Sequence, residues 1–142
     1  MSDQPKAPVT LPNGIVLRHA LSLEELTSCF PVISQLRPRL KGVEEWVERA
    51  SEMATDGYRV LAAWEGSRVL AVAGYRVMEN LIHDHFLYVD DLVTADDERG
   101  KGLGAALLTE LSAIGVVSIA TAWSSIPRRR TRARGASTSA KD

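Results

Sequence analysis

Seven consecutive residues, Arg99-Gly100-Lys101-Gly102-Leu103-Gly104-Ala105, have the types and spacing to hold an anion. They follow an apolar strand pattern, Phe86-Leu87-Tyr88-Val89-Asp90-Asp91-Leu92-Val93, and run into a helical one, Ala105-Ala106-Leu107-Leu108-Thr109-Glu110-Leu111. A glycine-rich turn between strand and helix presents backbone N–H groups at the positive end of the helix dipole. Phosphate and pyrophosphate bind there readily, and glycine lets the backbone approach them closely. Arg99 and Lys101 add positive charge at the same place. The first chemistry implied is therefore binding of a phosphorylated cofactor.

The same run satisfies G-x-G-x-x-A, the dinucleotide fingerprint. That fingerprint belongs near the first strand of a βαβ unit, with an acid about 20 residues on to hold the ribose. Here several strand patterns come first, and the next acid after Glu110 is Asp142. A dinucleotide site of that kind is not expected. His83-Asp84-His85 offers two histidines, but nothing in the sequence points to further ligands, so no metal site is expected. The single cysteine, Cys29, lies in a helical apolar pattern and reads as a buried small hydrophobe. Trp46 and Trp64 stand at core-like positions.

The elements that must position the glycine turn can be read by period. Ile15-Val16-Leu17-Arg18 is a short strand. Ser22 and Glu25 form a capping box. Leu23, Leu26, Phe30, Ile33 and Leu36 then keep helical spacing. Pro31 within that pattern is expected to kink or divide the helix. Val43, Trp46, Val47, Ala50 and Met53 mark a second amphipathic helix, ended by Asp56-Gly57. Tyr58 to Trp64 and Arg68 to Met78 are strands around the turn Glu65-Gly66-Ser67. Leu81 to His85 turns into the strand ending at Val93. The helix after the glycines is expected to run to about Gly115. This order implies an α/β (α+β) domain with a mixed, largely antiparallel sheet flanked by helices.

With its context, the glycine turn resembles the signature of the GNAT superfamily of N-acetyltransferases. That signature is Arg/Gln-x-x-Gly-x-Gly/Ala at a helix start, after a strand ending in Val. Arg99, Gly102 and Gly104 stand in those places. The resemblance extends from about Ile15 to about Gly115, through the two early helices and the three-strand meander. It implies acetyl-CoA as co-substrate and no metal. By resemblance, backbone N–H groups from Arg99 through Gly100, Lys101, Gly102, Leu103 and Gly104 to Ala105 hold the CoA pyrophosphate. The strand edge at Leu92 and Val93 pairs with the pantetheine arm. The implied reaction is direct attack of a neutral primary amine, of a small molecule or a protein, on the thioester. An alkyl amine has a pKa of about 10, so a base must take its proton. Asp90 and Asp91 are the candidates. Adjacent strand residues face opposite sides, so at most one of them is expected to face the cleft.

After Gly115 the resemblance stops. The family continues with a strand ending near Leu-Asp-Thr and a helix bearing Asn, Phe-Tyr and Gly, whose tyrosine often protonates the departing thiolate. Here Val116-Val117-Ser118-Ile119-Ala120-Thr121-Ala122-Trp123 leads to Ser124-Ser125-Ile126-Pro127 and a tail rich in Arg, Ala, Ser and Thr. No tyrosine follows Tyr88. Codons for Val116 through Asp142, read one base upstream, can spell the missing Leu-Asp-Thr, Asn, Phe-Tyr and Gly in order. A single-base deletion or sequencing error near Gly115 is the expectation, with the C-terminal strands missing or replaced and activity impaired. Val116 to Trp123 is apolar enough to replace one strand in part.

The expected organisation is a flexible leader over 1–13, an incomplete acetyltransferase domain over 14–126, and a disordered basic tail over 127–142. At 142 residues one domain is expected. Residues 1–127 carry 11 basic and 17 acidic side chains, a net of −6, so the body is acidic and only the tail is basic. No apolar run reaches membrane-spanning length, and no signal-peptide pattern opens the chain. Cytoplasmic location is the default, no membrane partner is expected, and a homodimer is compatible with family habit alone. Two other readings stand beside the enzyme. One is a non-catalytic CoA-binding or interaction module. The other is a nucleic-acid binder using Arg128-Arg129-Arg130-Thr131-Arg132-Ala133-Arg134, which an out-of-frame peptide explains more simply.

Overall fold

Apolar alternation builds the sheet, and apolar stripes of helical period cover its two faces. The structure, a computed structural model, describes residues 7–79, 81 and 86–119. Its elements run β1 (Val9–Thr10), β2 (Val16–His19), α1 (Leu23–Leu36), α2 (Val43–Ala54), β3 (Tyr58–Glu65), β4 (Arg68–Met78), β5 (Phe86–Thr94), α3 (Leu103–Ile114) and β6 (Val116–Ile119). The six strands lie side by side in chain order. All neighbours are antiparallel except β5 and β6, which pair in parallel across α3. The mixed, largely antiparallel sheet is the one expected from the sequence.

Local signals account for the boundaries. The Ser22 hydroxyl accepts from the Glu25 amide at 3.1 Å, and the Glu25 carboxylate accepts from the Ser22 and Leu21 amides at 3.2 and 2.8 Å. This closes the capping box that starts α1. Of the two outcomes expected of Pro31, division does not occur; α1 continues through it. Pro31 and Thr27 both lie on the exposed face, so the Thr27 carbonyl that loses its amide partner can bond to water. Gly57, at φ +95°, turns the chain from α2 into β3. The segment expected as a flexible leader contributes β1, which pairs with β2 through Val9↔Leu17 and Thr10↔Val16. Val116–Ile119 supplies a short sixth strand. Residues 120–142 and the His83-Asp84-His85 turn lie outside the described residues, so the tail and metal expectations placed there lie outside them too.

Two cores form. Leu17, Leu61, Leu87, Val89 and Leu92 meet Leu103, Leu107 and Leu111 of α3 on one face. Val60, Ala62, Trp64, Val72 and Val93 meet Cys29, Val32 and Ile33 of α1 and Trp46 of α2 on the other. The Trp46 indole N–H donates to the Leu26 carbonyl at 2.7 Å and ties α2 to α1. Cys29 is fully buried, and burial pushes its thiol up to about 12, so it packs as an apolar side chain.

On the α3 face, His19 is buried with its Nε2 at 2.7 Å from the Tyr75 hydroxyl, while Nδ1 has no partner among the described residues. Burial, helped by Arg59, lowers the His19 pKa from 6.5 to about 4. Between those values the unfolded chain takes up a proton that the folded chain refuses. The stability held above pH 6.5 is therefore lost as pH falls toward 4, by about 3 kcal/mol. Urea unfolding at pH 7 and pH 4.5 should show that His19→Gln loses much less stability over this range than the parent. An equal loss in both would remove His19 as the cause.

Candidate functional site

The site begins with a register change. β4 and β5 pair through Gly74↔Asp91 and then Tyr75↔Val89, so Asp90 is one residue more than β4 can match. Such a β-bulge resets the alternation of the strand that carries it. Leu87 and Val89 face α3 before the bulge, and Leu92 faces α3 after it. Asp90 and Asp91 consequently both turn toward α1 and α2 and line one pocket. Simple alternation had allowed only one of them there, and the bulge is the physical reason for the correction.

Asp91 sits on the pocket floor, 7% exposed. Its Oδ1 accepts from Arg37 Nε at 2.7 Å and also meets the second Arg37 nitrogen. Its Oδ2 accepts from the Tyr58 hydroxyl at 3.2 Å. Burial raises the Asp91 pKa above its ordinary value of 3.8, while Arg37 and the Tyr58 hydrogen bond hold it back. Burial and the Asp91 charge push the Tyr58 phenol well above 10. Asp90 gives both oxygens to Arg76, at 2.8 and 2.9 Å. Gly74 makes room for this arrangement: a Cβ there would lie 2.2 Å from the Tyr58 oxygen and 3.1 Å from Asp91 Oδ2.

The opposite wall comes from the end of α1 and the turn beyond it. Arg37 caps α1, and the Leu40 amide donates to the Arg37 carbonyl at 3.1 Å. Pro38 at the second position fixes this turn. Arg37 also donates to the Asp90 carbonyl at 3.2 Å, which fastens the turn to the bulge. The resulting pocket has a volume of about 570 Å³.

The glycine turn lies one step along the chain. A short 3₁₀ turn, Asp96–Glu98, leads to Gly100 at φ +88° and Gly102 at φ +77°, both in the left-handed region. Gly102 caps α3 without a side-chain bond to the first turn. Among the described residues, no turn or loop backbone bond starts from the amides of Gly100, Lys101 or Gly102. The cationic side chains are less available than the sequence implied. Arg99 pairs with Asp96 at 3.1 Å, and Lys101 pairs with Glu98 at 2.7 Å. Arg68 joins Glu98 and Asp97, both at 2.9 Å. Lys101 and Arg68 together lower the Glu98 pKa. The Gly100–Gly102 backbone is thus the part of the turn not committed to local ion pairs.

The β5–β6 pairing runs from Phe86↔Val116 to Val89↔Ile119, and the bulge at Asp90 follows directly. A family model described as the acetyltransferase (GNAT) family matches residues 21–118. The chain belongs to the GNAT acetyltransferase family. Among curated proteins, it is 28% identical over 95 residues to the uncharacterized N-acetyltransferase YhdJ of Bacillus subtilis (strain 168). That match takes up 66% of each protein, just under two thirds. Among solved structures, the fold is similar to a GNAT family acetyltransferase of Staphylococcus aureus USA300_TCH1516, with TM-score 0.66 and 15% identity over 90% of this chain and 98% of that one. It is also similar to an acetyltransferase of Trypanosoma brucei, with TM-score 0.63 and 20% identity over 75% and 82% of the chains. A third similar structure is a predicted acetyltransferase with acetyl-CoA from Clostridium acetobutylicum, at TM-score 0.58 and 13% identity over 76% and 81%.

As a GNAT family member the chain carries the fold of an acyl-transfer enzyme. Leu92 and Val93 follow Asp91 on β5, and Arg99 through Ala105 form the turn and first helical residues beyond it. Among the described residues no cluster of three or more His, Cys, Asp or Glu is placed to hold a metal ion, and no helix is long and apolar enough to cross a membrane. Sequence reasoning missed Arg37, Tyr58 and Arg76. Arg37-Pro38 marked a turn, but only the fold brings it to Asp91. The Tyr58–Gly74 contact yields a direct test. Gly74→Ala should cost roughly 1–3 kcal/mol in urea unfolding through overpacking. Adding Tyr58→Phe should recover part of it, whereas an unchanged loss would place the strain elsewhere.

Proposed function

We propose that this chain transfers an acetyl group from acetyl-CoA to a primary amine of a small molecule or a protein. The observation that carries the reading is the α3 N-terminus, whose cap residue Gly102 has no side chain of its own to cover the first turn, directly downstream of a bulge that turns Asp91 into a pocket. A helix start of this kind fits a diphosphate, because its amides lack intrahelical partners. In this reading the backbone from Arg99 to Ala105 holds the CoA pyrophosphate, and the β5 edge at Leu92 and Val93 aligns the pantetheine arm.

The amine nitrogen attacks the thioester carbon. A C–N bond forms, the C–S bond breaks, and CoA leaves as a thiolate. The proton released by the amine goes to Asp91, whose raised pKa makes it a better acceptor than an ordinary carboxylate. Asp90 is already held twice by Arg76, which supports giving it a positioning role. A bulge takes backbone groups out of the ladder, which supports assigning stabilisation of the thioester oxygen to this stretch of β5. Because the residues from Val116 onward depart from the family's strand and helix, we also infer that protonation of the thiolate, and hence turnover, is impaired. The same departure favours, as a second reading, CoA binding without transfer.

Calorimetric titration with CoA tests the cradle. Gly102→Asp should weaken binding at least about tenfold, since a carboxylate then replaces the attraction of the helix start with repulsion. Pantetheine, which lacks the diphosphate, should bind both proteins alike. Equal CoA affinity in both would remove the cradle from the reading. In a chain whose reading frame is restored after Gly115, turnover should rise at least about tenfold. Asp91→Asn in that chain should lower kcat/KM by about 10²–10⁴. Equal turnover with and without the restored frame would contradict impairment, and an unaffected Asn variant would free Asp91 of its role.

A further inference from the structure

The pocket above Asp91 carries more positive charge than its two acids consume. Four arginines line it, Arg37, Arg39, Arg49 and Arg76, against Asp90 and Asp91. These are four of the 11 basic residues in a stretch, 1–127, whose net charge is −6. The concentration therefore runs against the background of the body. Pairing sorts the arginines. Arg37 pairs with Asp91, and Arg76 pairs with Asp90 through two good bonds, so each acid is matched.

Two cations are left over, and both are exposed. Arg49 is 60% exposed, and its one ion pair is a 3.6 Å contact with Glu45 along α2, too long for a strong charge-assisted bond. Glu45 spends its other oxygen on the Lys41 amide at 2.7 Å. Arg39 is exposed, stands on the turn fixed by Pro38, and has no ion pair among the described residues. The lining also includes apolar Leu40, Trp46 and Met53. A molecule filling this space can meet a buried acid, apolar side chains and two exposed guanidinium groups. Arginine recognises oxyanions through paired N–H bonds.

Resting on the acetyl-transfer reading above, we propose that the acceptor is a primary amine with an oxyanion at its other end, held by Arg39 and Arg49 at the pocket rim while the amine points to Asp91. The shared chemistry is the oxyanion, which can be a carboxylate or a phosphate.

The test is calorimetric titration of amines into the full chain saturated with CoA, so that it does not depend on turnover. The probes are 4-aminobutyrate, phosphoethanolamine, ethanolamine and 1-aminobutane. At least one of the first two should bind at least about tenfold more tightly than both neutral-tailed amines. The stronger of the two arms names the oxyanion. Arg39→Gln with Arg49→Gln should abolish that preference and leave CoA affinity as it was. Raising the salt concentration should weaken the anionic probe and spare 1-aminobutane. Equal binding of all four probes, stronger binding of a neutral-tailed amine, no binding of any probe, or a preference that survives the double substitution would each overturn the proposal. Failure of CoA itself to bind would instead strike the acetyl-transfer reading, and the amine titrations repeated without CoA would still show whether the rim selects an oxyanion.

Discussion

Beside Gly74, β5 holds one residue that β4 cannot pair, and the strand answers by shifting its alternation by one. Before the bulge, even-numbered residues face α1 and α2; after it, odd-numbered ones do. Leu87, Val89 and Leu92 can all reach the α3 core only because of that shift. The same shift turns two successive carboxylates, Asp90 and Asp91, toward one pocket. A regular strand would force a choice between a continuous apolar seam under α3 and paired acids on the opposite side. The bulge permits both, and everything built around the pocket depends on it.

Burying Asp91 has a cost that its neighbours must offset. A carboxylate without partners would lose several kcal/mol on leaving water, or would take up a proton. Arg37 supplies the opposite charge and Tyr58 a hydrogen bond, yet burial still dominates and the pKa stays raised. Arg37 does a second thing at the same time. It sits at the start of the Arg37-Pro38-Arg39-Leu40 turn and donates to the Asp90 carbonyl, so the charge that stabilises the acid also holds the pocket wall against the bulge. Arg37 therefore links the electrostatics of the floor to the position of the wall.

Much of this was legible in the sequence, and the reasons differ by element. The strands and helices follow from periodicity because each has one face that must be apolar. The α1 start follows from Ser22 and Glu25, whose contacts are three residues apart. The glycine turn is equally local. The bulge was not legible: Asp90 and Asp91 look like ordinary neighbours until the β4 register is known. Arg37, 54 residues from Asp91, and Tyr58, 33 residues from it, were hidden for the same reason. Pro31 does not divide α1, because the local rule against proline in a helix takes no account of an exposed face, where water can satisfy the freed carbonyl.

The two charged ends of the chain's chemistry are solved differently. At the glycine turn, Arg99, Lys101 and Arg68 are engaged by Asp96, Asp97 and Glu98, so attraction for an anion falls mainly to the backbone at the α3 start. The helix terminus is equivalent to roughly half a positive charge, carried on amides whose directions are fixed. Exposed side-chain charges, by contrast, are screened and mobile. A diphosphate placed by fixed amides would arrive in one orientation, as the proposed acetyl transfer requires because the reacting carbon lies a long arm away. At the pocket rim the arrangement is reversed. Arg39 and Arg49 are exposed side chains with freedom to adjust, which suits the proposed grip on the far end of an acceptor whose amine is directed to the buried Asp91. Rigid recognition thus stands where distance must be kept, and adaptable recognition where only charge must be matched.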